Sequence, residues 1–421
     1  MGWPGTQLRT NAAARVGFAA VAAVVVAEVA VWLLRPGQDP IEPAPVSESD
    51  YFEDGQLERA REYRAPQRWL ALAAIGAEGA VLLVLAIGRP APARRALERL
   101  GRRPVLGAAA AGAVIALLVE AASLAPRLAA HERAVDFGLS SQSLGPWLWD
   151  VGRGAAIAAG LTAAGAALLM ALVRRFQARW WIPGSVAAVA ITAVMVWLAP
   201  VVLNPIFNRF DVLPSDSRLR AEVLELARRA GVDVGDVYRV DASRRTTTLN
   251  AYVDGLGPTK RVVLYDNLIE GVERDELQSV VAHELGHVAH DDIPRGIAFV
   301  AIVAPFGLLF ARELAAPLAR RAGAPTGTPA ALPAYFFGIA VASFVLAVPG
   351  NQLSRQVEAS ADTFALELTE DPRALIDLQQ RLAETNLSDP DPPDVFEFLF
   401  GTHPPTVERI GAAVAYRDEG P

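Results

Sequence analysis

The chain has no cysteine among its 421 residues. That absence excludes disulfides, thiolate metal sites and thiol nucleophiles together, so any metal must be held by His, Asp or Glu. Histidine is scarce, with five residues, and Lys260 is the only lysine. Positive charge is therefore nearly all arginine, which together with the alanine richness reads as genome composition rather than function. The net charge of −7 argues against a nucleic-acid partner. Hydrophobic residues make up 52% of the chain and mean hydropathy is +0.27, too apolar for an ordinary soluble enzyme. The length suits two to three domains.

Long apolar runs are abundant, and a helix of about 20 apolar residues crosses a bilayer. The clear runs are Val16 to Leu34, Trp69 to Gly88, Val105 to Leu124, Ala155 to Val173 and Trp181 to Leu203; weaker ones are Gly296 to Ala311 and Leu332 to Val348. Seven spans are expected, the first too long and lacking a cleavage site for a removed leader. Glu28, Glu78 and Glu120 lie inside the first three. Ionisable groups at membrane depth usually face a bundle interior or a watery cavity, so the bundle is expected to enclose something polar.

Arginines crowd the loops Arg89 to Arg103, Arg174 to Arg179 and the stretch holding Arg312, Arg320 and Arg321. The positive-inside rule places these in the cytoplasm and the segment between spans five and six outside it. Two regions are expected. Residues 1–203 form a five-span membrane half. Residues 204–421 form a water-facing domain interrupted by two further spans, about 296–311 and 332–348. In the second region an amphipathic helix covers Ser217 to Ala230. Strands follow at Val237 to Val240, Thr246 to Val253 and Arg261 to Tyr265, the last two joined by a turn at Gly255-Leu256-Gly257-Pro258. Further helices are read at Ser354 to Leu368 and from Asp371-Pro372 to Glu384.

His283-Glu284-Leu285-Gly286-His287 carries the chemistry. Asp275 to Ala289 has apolar residues at Leu277, Val281, Leu285 and Val288, which is helical spacing. Residues four apart share a helix face. Two imidazoles can thus grip one Zn²⁺ while the adjacent glutamate points to its water. By residue frequency this pattern arises by chance in roughly a few of a thousand such chains.

A catalytic zinc keeps three protein ligands and one open position. His290 lies near the same face, but three ligands from two turns of one helix would struggle to surround a tetrahedral ion. Glu358 is the better third ligand. Asp362, one turn on, fits a partner that fixes a histidine tautomer.

The chain resembles the type I CAAX prenyl endopeptidases and their bacterial homologues, integral-membrane zinc metalloendopeptidases. The matching segments, in order, are Asn204-Pro205-Ile206-Phe207-Asn208-Arg209-Phe210, Asn250-Ala251-Tyr252 with Arg261 to Asp266, the HExxH, Ser354-Arg355 through Glu358 to Asp362, and His403-Pro404-Pro405 with Glu408-Arg409. The resemblance implies a mainly α, multi-pass membrane protein. About seven transmembrane helices would enclose a chamber beside a zincin-like α+β metalloprotease domain of the gluzincin type. It implies one Zn²⁺ per chain on His283, His287 and Glu358, with Glu284 as general base and acid and Asp362 behind the metal. His403 and Arg409 would lie near the substrate, where they stabilise the oxyanion. Asn250, Ala251 and Tyr252 would be an edge strand pairing an extended peptide. The substrate is expected to be a peptide or membrane protein, lipidated or not, and the location a bacterial cell membrane. The carboxyl end carries no endoplasmic-reticulum retrieval signal. Rival readings are a heat-shock-type quality-control protease, an HExxH-bearing membrane sensor, and a transporter with a structural zinc that would leave Glu284 without a task.

Overall fold

The computed structural model describes residues 4–88, 90–255 and 260–419. Arg89 and Leu256 to Pro258 of the expected turn lie outside them. The membrane half runs α1 (Pro4–Leu34), α2 (Asp54–Leu83), α3 (Ala91–Leu100), α4 (Pro104–Asp136), α5 (Leu144–Phe176), α6 (Trp181–Leu198) and the short α7 (Asn204–Phe207). The second half runs β1 (Phe210–Val212), α8 (Arg218–Arg229), β2 (Asp236–Val240), β3 (Ala251–Asp254), β4 (Arg261–Tyr265), α9 (Asp266–Gly271), α10 (Arg274–Ala289), α11 (Asp292–Arg321), α12 (Leu332–Thr369), α13 (Pro372–Thr385), α14 (Asp394–Phe400) and α15 (Thr406–Glu419).

Seven helices among the described residues are long and apolar enough to cross a membrane, each containing one of the seven expected runs. Several outrun the apolar stretch that announced them. The last is the extreme case. Leu332 to Val348 and Ser354 to Leu368 were expected as a span and a separate helix, but they form one 38-residue helix. At about 1.5 Å per residue it is nearly twice the roughly 30 Å hydrocarbon core. Its second half therefore leaves the membrane and enters the water-facing domain.

Helix contacts run α5–α4–α2–α12–α11–α6 and back to α5, with α1 against α11 and α12. The bundle is thus a ring rather than a stack about one axis. At one end a cluster including Leu82, Ala108, Leu169, Met170, Trp180, Ala315 and Tyr335 draws the ring together. The Arg-rich loops lie at this end; the soluble domain caps the other. In between, only 6% of the most apolar window is buried in Asp54–Gly88 and in Trp181–Phe207, so these helices are open on more than their lipid face. None of the three intramembrane glutamates is buried: Glu28 is exposed, Glu78 and Glu120 half-buried. Glu120 has a partner, Arg127, at 2.5 Å.

The soluble domain is built on a sheet of order β1-β2-β4-β3. β2 and β4 are parallel, while β1 and β3 pair antiparallel at either edge. Thr246 to Asn250, expected as strand, is a loop. The Thr246 and Thr247 hydroxyls donate to the carbonyls of Leu139 and Gly138, which ties the loop to the end of α4 and competes with a ladder. The core combines the sheet with α8, α10, α13, α15 and the distal part of α12. Phe52 and Leu57 join this core, with Ile41 and Ala44 packed against it, so the loop after α1 is built into the domain it precedes by sequence.

Candidate active site

Two helices and one loop make the site. α10 forms because Leu277, Val281 and Leu285 repeat at helical spacing and are fully or nearly fully buried. Its start is fixed by Glu276, whose carboxylate accepts the Glu273 N–H at 2.9 Å. The same carboxylate is gripped in bidentate fashion by Arg381 of α13 at 2.7 and 2.9 Å. α12 crosses α10 at Gly286. A Cβ there would stand 3.1 Å from Phe364 and 3.3 Å from the Ala361 backbone, so the close approach depends on glycine.

That approach brings His283 and His287 to Glu358. Their ligand-capable atoms lie within 4.8 Å of one another. His283 Nε2 is 3.2 Å from Glu358 Oε2, and His287 Nε2 is 3.6 Å from Glu358 Oε1. Each ring is held from behind. His283 Nδ1 donates to Asp362 Oδ1 at 2.8 Å, and His287 Nδ1 donates to Asp292 Oδ2 at 2.9 Å. With both Nδ1 hydrogens committed to carboxylates, both Nε2 lone pairs face the common centre.

The charges favour a cation there. Burial alone would lower the pKa of His283, but Asp362 and Glu358 outweigh it and hold the imidazole well above its ordinary range. Burial pushes the Glu284 carboxyl up, opposed by His283 and His287. Glu284 also accepts a hydrogen bond from the Val253 backbone. Glu284, His287 and Glu358 line a cavity of about 500 Å³, with Val253 on its wall.

His403 completes the rim. Its side chain is 57% exposed, and Nε2 lies 3.4 Å from Glu358 Oε1. Thr402 Oγ1 sits 2.9 Å from its Nδ1. Asn250 leads into β3, the edge strand next to α10 that holds Ala251 and Tyr252; among the described residues its outer edge has no strand partner.

Two placements differ from expectation. Arg409 was expected beside the substrate. Instead its Nε and Nη2 donate to the two oxygens of Asp362 at 2.7 and 2.6 Å, and the cavity that holds Glu284 does not include it. Asp362 is 2% exposed and Arg409 14%, so the pair lies largely buried behind His283. The second difference is Asp292, which the sequence reading did not single out. The only sequence signal was an acid five residues past His287. The link crosses a break in the helix at Asp291, whose φ of 56° is left-handed, so no helical spacing announces it. His290 is turned away, with Nδ1 3.3 Å from the Ser360 hydroxyl.

Two histidines and a distant glutamate on crossing helices, set in a membrane bundle, define a membrane metallopeptidase. Comparison with known proteins agrees. Residues 214–417 match the profile of peptidase family M48. Residues 132–209 match that of the CAAX prenyl protease N-terminal region with five membrane helices. An uncharacterized metalloprotease, YhfN of Bacillus subtilis, is 30% identical over 302 residues, 70% of this chain and 71% of that protein. The CAAX prenyl protease 1 homolog of Arabidopsis thaliana is 34% identical over 230 residues, 53% of each chain. The chain thus spans about half the length of that plant relative. The crystal structure of Ste24p from S. mikatae has the same fold, with a TM-score of 0.72 at 19% identity over 95% of this chain and 98% of that one. The chain belongs to peptidase family M48.

Proposed function

We propose that the protein is a zinc-dependent membrane endopeptidase with His283, His287 and Glu358 as the metal ligands. The supporting observation is the convergence of two Nε2 atoms and one carboxylate within 4.8 Å, with each ring fixed from behind by a carboxylate. Two imidazoles and a carboxylate, with no thiolate anywhere in the chain, are a donor set that suits Zn²⁺. When bound, Zn²⁺ supplies Lewis acidity to the scissile carbonyl and to the attacking water.

The remaining steps belong to the chain. Glu284 takes the proton of the water and passes it to the leaving amine. If the Thr402 hydroxyl donates to His403 Nδ1, the ring carries its hydrogen on Nε2, facing the cleft. His403 then donates to the oxyanion; losing such a donor typically costs about 10²–10³ in rate. Asn250, Ala251 and Tyr252, with the free edge of β3, pair an extended peptide by main-chain hydrogen bonds. Arg409 and Asp362 act behind the metal as positioning residues. The substrate is a peptide or a membrane-protein segment, and the CAAX prenyl proteases among the relatives make lipidated carboxyl termini the first class to assay. The protein works in a cell membrane, with the Arg-rich end of the bundle toward the cytoplasm.

The test is a Glu284→Gln variant of the full chain, purified in detergent. Metal content by elemental analysis should match the wild type, and peptide cleavage should fall by orders of magnitude. Unchanged turnover would refute the mechanism.

A further inference from the structure

A second cavity, of about 590 Å³, lies at the Arg-rich end of the bundle, remote from α10. Its volume is in the range of roughly 300–1,000 Å³ typical of small-ligand sites. Arg174 from α5 and Arg312 and Arg320 from α11 line it, and among the described residues no carboxylate does. Glu313, next to the cavity, is held by both Arg312 at 2.5 Å and Arg15 at 2.7 Å, which leaves that trio positive. Among the described residues the Arg174 guanidinium makes no ion pair, only a hydrogen bond to the Gly327 carbonyl at 3.2 Å. Gly327, at φ +78°, has no Cβ to displace the Arg174 stem, which would lie 3.3 Å from one. Arg174 is therefore held in place by the loop before α12. Among the described residues the Arg320 guanidinium has neither an ion-pair nor a hydrogen-bond partner.

The rest of the lining fixes the environment. Trp180, at the start of α6, and Tyr335, near the start of α12, are nearly buried and meet edge to face at 5.6 Å. Val173, Ala316 and Ala319 make an apolar wall. Aromatic residues at span ends mark the membrane interface. α3 lies at the same end, burying Leu97 and exposing Arg94, Arg95 and Arg99, as an interfacial helix does. Guanidinium groups match phosphate oxygens in a planar, bidentate way. Basic pockets between membrane helices on the cytoplasmic side take anionic headgroups.

We propose that this cavity binds the phosphate-bearing headgroup of an anionic phospholipid from the adjoining leaflet. Arg174 and Arg320 contact the phosphate, and the acyl chains leave along the apolar wall. The proposal does not rest on the protease activity. It is tested by native mass spectrometry of the full-length protein in detergent, with phosphatidylglycerol and phosphatidylcholine as probes and inorganic phosphate as competitor. The expected result is one retained phosphatidylglycerol, bound about tenfold more weakly by Arg174→Gln/Arg320→Gln. Phosphatidylcholine should be retained less, and equally by both proteins. Arg320→Gln alone, which removes no ion pair or hydrogen bond among the described residues, should show part of the loss. Arg95→Gln/Arg99→Gln removes equal charge from the same end and should leave binding unchanged. An equal loss in that control, or wild-type retention in the cavity variants, overturns the proposal. Displacement by millimolar inorganic phosphate overturns the lipid assignment in favour of a free-phosphate site.

Discussion

Replacing Arg409 by methionine separates two jobs that its position near the metal site allows. In the structure both of its donors are spent on Asp362, which in turn receives the His283 Nδ1 hydrogen. Loss of the guanidinium leaves a carboxylate that is 2% exposed with His283 as its remaining partner. The ring is then oriented by a carboxylate that is itself no longer clamped. Partners behind metal-ligating histidines are typically worth 10–100-fold in metal affinity, or about 1.4–2.7 kcal/mol. Breaking a buried pair from one side also costs stability, about 3–5 kcal/mol when nothing else compensates. Arg409→Lys, which keeps the charge without the fork, gives a milder companion. The assay is a zinc competition titration against a chelating dye, run beside kcat measured at saturating zinc. The dissociation constant should rise 10–100-fold in Arg409→Met and less in Arg409→Lys, with much of the activity recovered by added zinc. An unchanged zinc affinity with kcat down about 10²–10³ would refute the reasoning and return Arg409 to the oxyanion.

Asp292→Asn should likewise weaken zinc about 10–100-fold, because Asp292 holds His287 as Asp362 holds His283; wild-type affinity would deny it that role. Gly286→Ala should push α12 from α10 by a few tenths of an ångström, since the new methyl meets the Ala361 backbone at 3.3 Å. Ligand distances tolerate only about 0.2 Å, so zinc affinity should fall while helix content by circular dichroism stays constant; unchanged affinity would mean that the crossing can relax. Because burial pushes Glu284 up, its proton-accepting form is lost at a higher pH than for a free glutamate. In the zinc-free protein the Glu284 carboxyl, followed as the infrared carboxylate difference between wild type and Glu284→Gln, should have its midpoint above about 4.3; a midpoint at or below that value contradicts the buried setting.

The chemistry was legible where it repeats at a helical period. His283 and His287 are four residues apart, and Glu358 and Asp362 are four apart, so each pair announces one helix face. The seven spans were legible because apolar length is a composition signal. What stayed hidden crosses between elements. Asp292 reaches His287 across a left-handed residue, and Arg409 reaches Asp362 from a helix 47 positions away. The continuity of α12 was hidden for another reason. Its polar half after Pro349 breaks the apolar run, and a proline reads as a stop. Here the helix passes through Pro349, which is buried.

That unbroken rod leaves no slack between lipid and the proposed zinc ligand. Glu358 stands nine residues beyond Pro349, about 13 Å at 1.5 Å per residue. A lean of the outer segment by about 5° at the proline carries the carboxylate by about 1 Å, several times what metal coordination tolerates. Whatever sets the pitch of the seventh span in its bilayer therefore also sets the aim of the third donor.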